Sequence, residues 1–176
     1  MFTAIIRARP HSLALAATLA PLVRGVVQGL VGSAILVAEQ DHPDLQEIAD
    51  SAGCRVLLAP TWAEGFARAV AQASGSPVLV LDTGLLLAQD FWPLLADRLP
   101  MMGDRPAATR PAAGKGVLLP LRRFIGRMNG RLDAGSAVLL TGARARAIAQ
   151  RKDDPWLVPH GTDLLVLPST GLRFEV

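Results

Sequence analysis

Carboxylates that follow apolar runs are the side chains of this sequence best placed to do chemistry. Asp82 comes directly after Val78-Leu79-Val80-Leu81, and Glu39 comes directly after Ile35-Leu36-Val37-Ala38. A carboxylate can accept hydrogen bonds from hydroxyl and N–H groups, bind a divalent cation or take a proton as a general base. Which of these each residue does depends on where the chain folds it.

The cysteine and the histidines point to fewer functions. Cys54 is the only cysteine, which excludes an intrachain disulfide and zinc sites built from paired cysteines. We expect it to be a buried structural thiol in a reducing compartment. The histidines His11, His42 and His160 are too dispersed to form a metal cluster, and we interpret each as a loop residue.

Two common catalytic or binding loops are also excluded. The first apolar run ends in Arg7-Ala8-Arg9-Pro10, without the glycines that let a backbone approach a phosphate closely. Ser136 lies in Ala-Gly-Ser-Ala and lacks the second glycine of a hydrolase nucleophile elbow. The sequence therefore favours neither a glycine-rich phosphate loop nor a serine hydrolase.

The hydrophobic pattern alternates between strand-like and helix-like segments. Apolar residues recur at three- and four-residue spacing from Leu15 to Val26, where Pro21 kinks or divides the helix. Thr61 is a predicted N-cap, with Glu64 as its capping-box partner. The predicted strands are Thr3–Ile6, Ala34–Val37, Cys54–Leu58, Val78–Leu81, Ala137–Leu140 and Leu164–Leu167. The later predicted helices are Pro43–Ala52, Thr61–Ser74, Gln89–Leu99, Leu118–Arg127 and Ala143–Gln150, with a loop predicted at Pro100–Gly116.

This alternation predicts one α/β domain of 176 residues, with a mostly parallel central sheet and helices on both faces. Right-handed crossovers place the carboxyl ends of the parallel strands at one edge, where such sheets bind ligands. We expect Asp82 to lie at that edge. Aromatic residues are few and Tyr is absent, so we expect an aliphatic core and no nucleic-acid partner.

Charge is segregated along the chain. Residues 1–99 carry 6 basic and 9 acidic side chains, whereas residues 100–152 carry 11 basic and 2 acidic side chains. The final residues, 153–176, return to a net charge of −3. The basic middle segment is typical of a surface that faces phosphates, an anionic membrane or nucleic acid, and an ordinary solvated surface has the same composition.

The stretch from Ser12 to Ala38 is the candidate for a membrane segment. Pro21 and Arg24 interrupt it, and they leave it short of the 18 or more apolar residues expected of a spanning helix. We interpret it as a helix followed by a strand. We therefore expect a cytoplasmic protein, with the inner membrane surface as an alternative location.

Three segments carry a resemblance to a known family. They are Ile35-Leu36-Val37-Ala38-Glu39, Gln46-Glu47-Ile48-Ala49-Asp50-Ser51-Ala52-Gly53-Cys54 and Val78-Leu79-Val80-Leu81-Asp82. Their colinear order resembles family 2 glycosyltransferases of the GT-A fold, especially short bacterial members, over residues 1–95 and more loosely over 133–165. The resemblance implies one GT-A-like (Rossmann-like) domain, 1–176, with a nucleotide-binding half at 1–99 and an acceptor-side half at 100–176.

The resemblance also implies roles for individual residues. Glu39 falls where the family has an acidic residue that contacts the base or ribose of the nucleotide. Asp82 falls on the first Asp of the metal-binding Asp-x-Asp motif, and Gly84 stands in place of the second. One carboxylate can hold Mn²⁺ or Mg²⁺ only if phosphates and waters complete its shell, so a structural role for Asp82 is the alternative. Asp163 matches the catalytic base, with Asp153-Asp154 as the competing placement.

These roles imply an enzyme that binds a nucleotide-diphosphate sugar and passes the sugar to a hydroxyl acceptor. The basic segment 100–152 would then face an anionic acceptor or a membrane surface. One alternative is a non-catalytic binding or assembly module of the same fold, because Gly84 interrupts the metal-binding motif. Another is a molybdenum-cofactor-type nucleotidyltransferase, because Trp62-Ala63-Glu64-Gly65 is similar to a segment of that family.

Overall fold

The computed structural model describes residues 1–110, 136–156 and 164–173, in which eight strands form one sheet with helices packed on its faces. The strands are β1 (Phe2–Ala8), β2 (Val31–Ala38), β3 (Arg55–Leu58), β4 (Val78–Asp82), β5 (Leu85–Leu87), β6 (Ala107–Arg110), β7 (Val138–Leu140) and β8 (Leu165–Arg173). The helices are α1 (Ser12–Val27), α2 (Pro43–Ser51), α3 (Trp62–Gln72), α4 (Phe91–Met102) and α5 (Gly142–Arg151).

The strand order across the sheet is β3-β2-β1-β4-β7-β6-β8-β5. The first four strands of this order are mutually parallel, as short connections through a helix require. β7 runs antiparallel to both β4 and β6, β8 is parallel to β6, and β5 is antiparallel to β8. The prediction of an α/β domain with a mostly parallel sheet is confirmed.

The central parallel strands β1 and β4 are buried on both faces, and their alternate side chains contact different helices. Phe2, Ala4 and Ile6 of β1 belong to the cluster that includes residues of α1, α2 and α4, whereas Ile5 belongs to the cluster with α3 and α5. The two clusters form the two layers of the core. This division decides which side of the sheet each strand-end residue faces.

The structure differs from the prediction in one loop and contains one strand that was not predicted. Within the loop predicted at Pro100–Gly116, α4 continues through Pro100 to Met102 and β6 occupies Ala107–Arg110. β6 pairs with β7 and β8, so partners distant in sequence make a strand of residues with little strand propensity. β5 was also absent from the predicted elements, and its partner β8 lies at the far end of the chain. The predicted helix Leu118–Arg127 lies outside the described residues.

The first helix is not divided at Pro21. α1 runs continuously through Pro21, whose carbonyl oxygen accepts a hydrogen bond of 2.8 Å from the indole N–H of Trp92. None of the helices that the structure describes is long and apolar enough to cross a membrane, and α1 has 16 residues.

Cys54 is only partly buried, because it precedes β3 and packs at the margin of the core. Burial nevertheless raises the pKa of its thiol.

Close packing of α3 on β2 brings the start of α3 to the carboxyl edge of the sheet. Thr61 is the N-cap, and its hydroxyl accepts a hydrogen bond of 3.3 Å from the Glu64 amide, as predicted. A β-carbon at Gly65 would collide with Cγ1 of Val37 and lie 3.2 Å from the β-carbon of Ala59. The glycine of the Trp-Ala-Glu-Gly segment is therefore required by helix–sheet contact.

We expect Gly65→Ala to destabilise the protein by about 1–3 kcal/mol, because the added methyl overpacks the contact with Val37. Helix propensity alone would give the opposite sign, a gain of about 1 kcal/mol. Urea unfolding of the variant measures the difference. Gly32→Ala is the matched control, since the nearest atoms to its β-carbon belong to the side chain of Met1. A Gly65→Ala variant as stable as the wild type would contradict the close contact.

Candidate functional site

Four charged side chains lie at the carboxyl ends of neighbouring parallel strands, on the side of the sheet that faces α3 and α5. The strand residues buried on this side include Ile5, Val37 and Val80. Side chains two positions apart on a strand share a face. Continuing that alternation past each strand end gives the charged set of Arg7, Arg9, Glu39 and Asp82. The strand order also reverses here, because β2 lies on one side of β1 and β4 on the other. Such switch points are the usual ligand sites of these sheets.

Asp82 and Arg9 form a two-point ion pair. The Arg9 Nε–H donates to Oδ1 of Asp82 over 3.0 Å, and the Nη2–H donates to Oδ2 over 3.1 Å. The Asp82 side chain is only 3 % exposed, whereas that of Arg9 is 47 % exposed. A nearly buried carboxylate requires a counter-charge, and Arg9 supplies it while keeping part of its guanidinium in solvent.

Arg9 remains positively charged throughout the physiological pH range. The hydrogen bonds to Asp82 raise the pKa of Arg9, partial burial opposes this, and the negative charges of Asp82 and Glu39 raise it further. The Arg9 guanidinium is therefore a permanent cation at the sheet edge. The pair as a whole has zero net charge, since one guanidinium balances one carboxylate.

Glu39 and Arg7 form a second pair beside the first. The Arg7 Nη2–H donates to Oε1 of Glu39 over 2.6 Å. The guanidinium carbon of Arg7 lies 5.6 Å from the ring centroid of Trp62, the first residue of α3, a distance typical of a cation–π contact. Arg7 is thus held between a carboxylate and an indole ring, and among the residues that the structure describes no donor contacts the second oxygen of Glu39, Oε2.

The turn after β4 fixes the backbone of both strand ends. The Thr83 hydroxyl donates to the Arg7 carbonyl oxygen over 2.7 Å and accepts the Arg9 amide N–H over 3.0 Å. Gly84 has a φ of 86°, a left-handed conformation that favours glycine. Its N–H donates to the hydroxyl of Thr18 in α1 over 2.8 Å. The position predicted to have lost a metal ligand is therefore part of a tight turn anchored to α1.

The basic end of α5 reaches the same edge beside α3. The Lys152 ammonium lies 3.9 Å from Oε1 of Glu64 in the first turn of α3, and Arg151 pairs with Asp153 over 3.1 Å. Both cations are mostly exposed. Both belong to the basic segment 100–152, and Lys152 lies beside the first turn of α3, which also carries Trp62.

The structure brings Glu39 and Asp82 to one edge and leaves other predicted residues apart or outside. Asp163 and His160 lie outside the described residues, so their roles stay predictions. Asp153 pairs with Arg151, and Oδ1 of Asp154 accepts the backbone N–H of Trp156 over 3.1 Å. Both carboxylates of the competing placement thus have local partners.

Arg7 and Arg9 are not among the site residues predicted from the sequence. The signal was present in the sequence. Alternation along the predicted strand Thr3–Ile6 places both arginines on the face of Ile5, and arginine is the usual counter-ion for strand-end carboxylates that must be buried.

Two arginine–carboxylate pairs side by side can bind a ligand that carries both phosphate and hydroxyl groups. Guanidinium groups bind phosphate oxygens through paired N–H groups, and carboxylates accept hydrogen bonds from sugar hydroxyls. A divalent cation fits this donor set poorly. Both oxygens of Asp82 are already bonded to Arg9, and in the described part of the chain no three His, Cys, Asp or Glu side chains group as metal ligands.

The fold is that of GT-A glycosyltransferase-like proteins. Glucosyl-3-phosphoglycerate synthase from Mycobacterium tuberculosis, in complex with Mn²⁺, UDP and glucosyl-3-phosphoglycerate, matches at a TM-score of 0.64 and 16% identity, covering 100% of this chain and 72% of that one. Its complex with Mg²⁺ and UDP matches at a TM-score of 0.66 and 15% identity, with the same coverage. A further mycobacterial protein matches at a TM-score of 0.64 and 16% identity, covering 100% of this chain and 68% of that one. No protein-family model matches the chain, and no curated protein matches it in sequence.

We expect Arg9→Gln to destabilise the protein by about 1–3 kcal/mol, because it leaves the carboxylate of Asp82 buried without a counter-charge. Adding Asp82→Asn should recover part of that loss. Urea unfolding of the two single variants and the double variant forms the cycle that measures the coupling. Arg55→Gln, at the exposed start of β3, is the control. Strictly additive effects of the two substitutions would contradict the pair.

Proposed function

We propose that this chain binds a nucleoside-diphosphate sugar at the edge formed by Glu39 and Asp82 and transfers the sugar to a hydroxyl acceptor, as a member of the family 2 type. The observation that carries the proposal is the convergence of these two carboxylates, each with its arginine, at the carboxyl ends of β2 and β4. Solved structures of the same fold whose complexes contain UDP or UDP-glucose support the choice of ligand.

Glu39 is proposed to bind the nucleoside end of the donor. Its side chain is 43 % exposed, and Oε1 is fixed by Arg7. The remaining oxygen can accept a ribose hydroxyl or a base N–H, and a carboxylate held in place loses little entropy on binding. Arg7 and Trp62 thus act as the support that orients Glu39.

Sugar transfer requires a base as well as a binding site. In the proposed reaction the acceptor oxygen forms a bond to the anomeric carbon, the bond from that carbon to the diphosphate breaks, and the hydroxyl proton passes to a carboxylate. Asp163 is the proposed base. A cation beside the diphosphate stabilises the negative charge that develops on the leaving group.

The acceptor is proposed to be anionic, because the segment 100–152 is strongly basic and its Lys152 lies beside the first turn of α3. Exposed cations beside a binding edge raise the local concentration of anions and their rate of association. A structure of glucosyl-3-phosphoglycerate synthase, which has the same fold, contains phosphoglyceric acid, an anionic molecule.

A second candidate is a binding module of the same fold without catalysis. The observation that favours it is Gly84, whose φ of 86° and bond to Thr18 make its position a structural turn. Donor binding without any sugar release over hours would select this candidate over the transferase.

We expect the full chain to bind UDP- or GDP-sugars in isothermal titration calorimetry. Glu39→Gln should weaken that binding roughly tenfold to hundredfold, since a hydrogen bond to a charged group is worth about 1.5–3 kcal/mol. Glu47→Gln on the exposed side of α2 is the matched control and should bind as the wild type does. Absence of binding for every nucleotide sugar tested, or equal weakening in both variants, would refute the proposed site.

A further inference from the structure

We propose that Arg9 is the cation that binds the donor's diphosphate, in the place of a divalent metal ion, and that Asp82 is the residue that positions it. This inference rests on the proposed function, since it names the group that contacts the diphosphate of the same donor. It predicts that nucleotide binding needs no metal ion.

The coordination of Asp82 is the first support. A divalent cation needs several oxygen ligands, and a single carboxylate contributes to such a shell only with a free oxygen. Here both oxygens of Asp82 accept hydrogen bonds from Arg9, and the carboxylate is nearly buried. A metal ion would have to displace the guanidinium and leave two positive charges close together.

The turn at Gly84 is the second support. A second metal-binding carboxylate would stand at this position according to the family resemblance. The left-handed φ of 86° disfavours any side chain there, and the N–H is bonded to Thr18. The backbone conformation and the sequence therefore agree that position 84 serves the turn.

The geometry of Arg9 is the third support. A guanidinium has five N–H groups, and Asp82 takes two of them, Nε–H and one Nη2–H. The other three, on Nη1 and Nη2, have no acceptor among the described residues and belong to a half-exposed side chain. The Nη1–Nη2 side of the group has the spacing that binds two phosphate oxygens together.

Charge balance agrees with this assignment. Two carboxylates with one divalent cation have a net charge of zero, and so do one carboxylate and one guanidinium. Loss of one acidic ligand together with replacement of the metal by arginine would leave the net charge beside the diphosphate unchanged. Asp82 holds the guanidinium in one orientation, so that little side-chain entropy is lost when the diphosphate binds.

The test is calorimetric titration of the full-length chain with UDP and GDP, once with a chelator and once with Mn²⁺. We expect dissociation constants that agree within about twofold between the two conditions. Arg9→Gln should weaken binding roughly tenfold to hundredfold, whereas Arg55→Gln should leave it unchanged. Thermal unfolding of each variant verifies that it is folded at the temperature of the titration.

The double variant Arg9→Gln with Asp82→Asn separates direct contact from charge neutralisation. It should bind as weakly as Arg9→Gln alone, because the phosphate-binding group is still missing. Recovery of wild-type binding in the double variant would show that Arg9 only neutralises Asp82, and would overturn the inference. Binding that requires Mn²⁺ would also overturn it while leaving the proposed function intact. Absence of nucleotide binding in both conditions would overturn both this inference and the proposed function.

Discussion

The buried carboxylate of Asp82 is the constraint around which this site is built. It ends a strand that is covered on both faces, so solvent cannot stabilise its charge, and a nearby cation must do so. Arg9 fulfils that need from the end of the adjacent parallel strand. Thr83 bonds to the backbone of Arg7 and Arg9 on either side, so the backbone and the ion pair hold the two strand ends together.

The same alternation that builds the core also assembles the site. Every second residue of β1, β2 and β4 faces α3 and α5, and beyond the strand ends that face becomes polar. Glu39 and Asp82 therefore meet their arginines without any long loop or specialised motif. Packing of Trp62 at the start of α3 then fixes Arg7, so the helix layer and the charged edge depend on one another.

Local pattern in the sequence was sufficient for the parallel half of the sheet. Asp82 was expected at the carboxyl edge because it follows an apolar run, and Thr61 was expected to cap α3. The pattern failed for β5 and β6, because each is a short strand that forms by pairing with β8, a segment distant from it in sequence. Arg7 and Arg9 were missed for another reason, since a search for glycine-rich loops and acidic pairs gives no weight to counter-ions.

The proposed function requires that a nucleotide bind where the Arg7–Glu39 and Arg9–Asp82 pairs lie. A crystal structure of the chain soaked with UDP and Mn²⁺, with anomalous diffraction data to locate manganese, tests this most directly. The account predicts UDP at the carboxyl edge, with its ribose against Glu39, its diphosphate on the Nη atoms of Arg9 and no anomalous peak at Asp82. UDP bound elsewhere, or a manganese peak on Asp82 with Arg9 displaced, would contradict it.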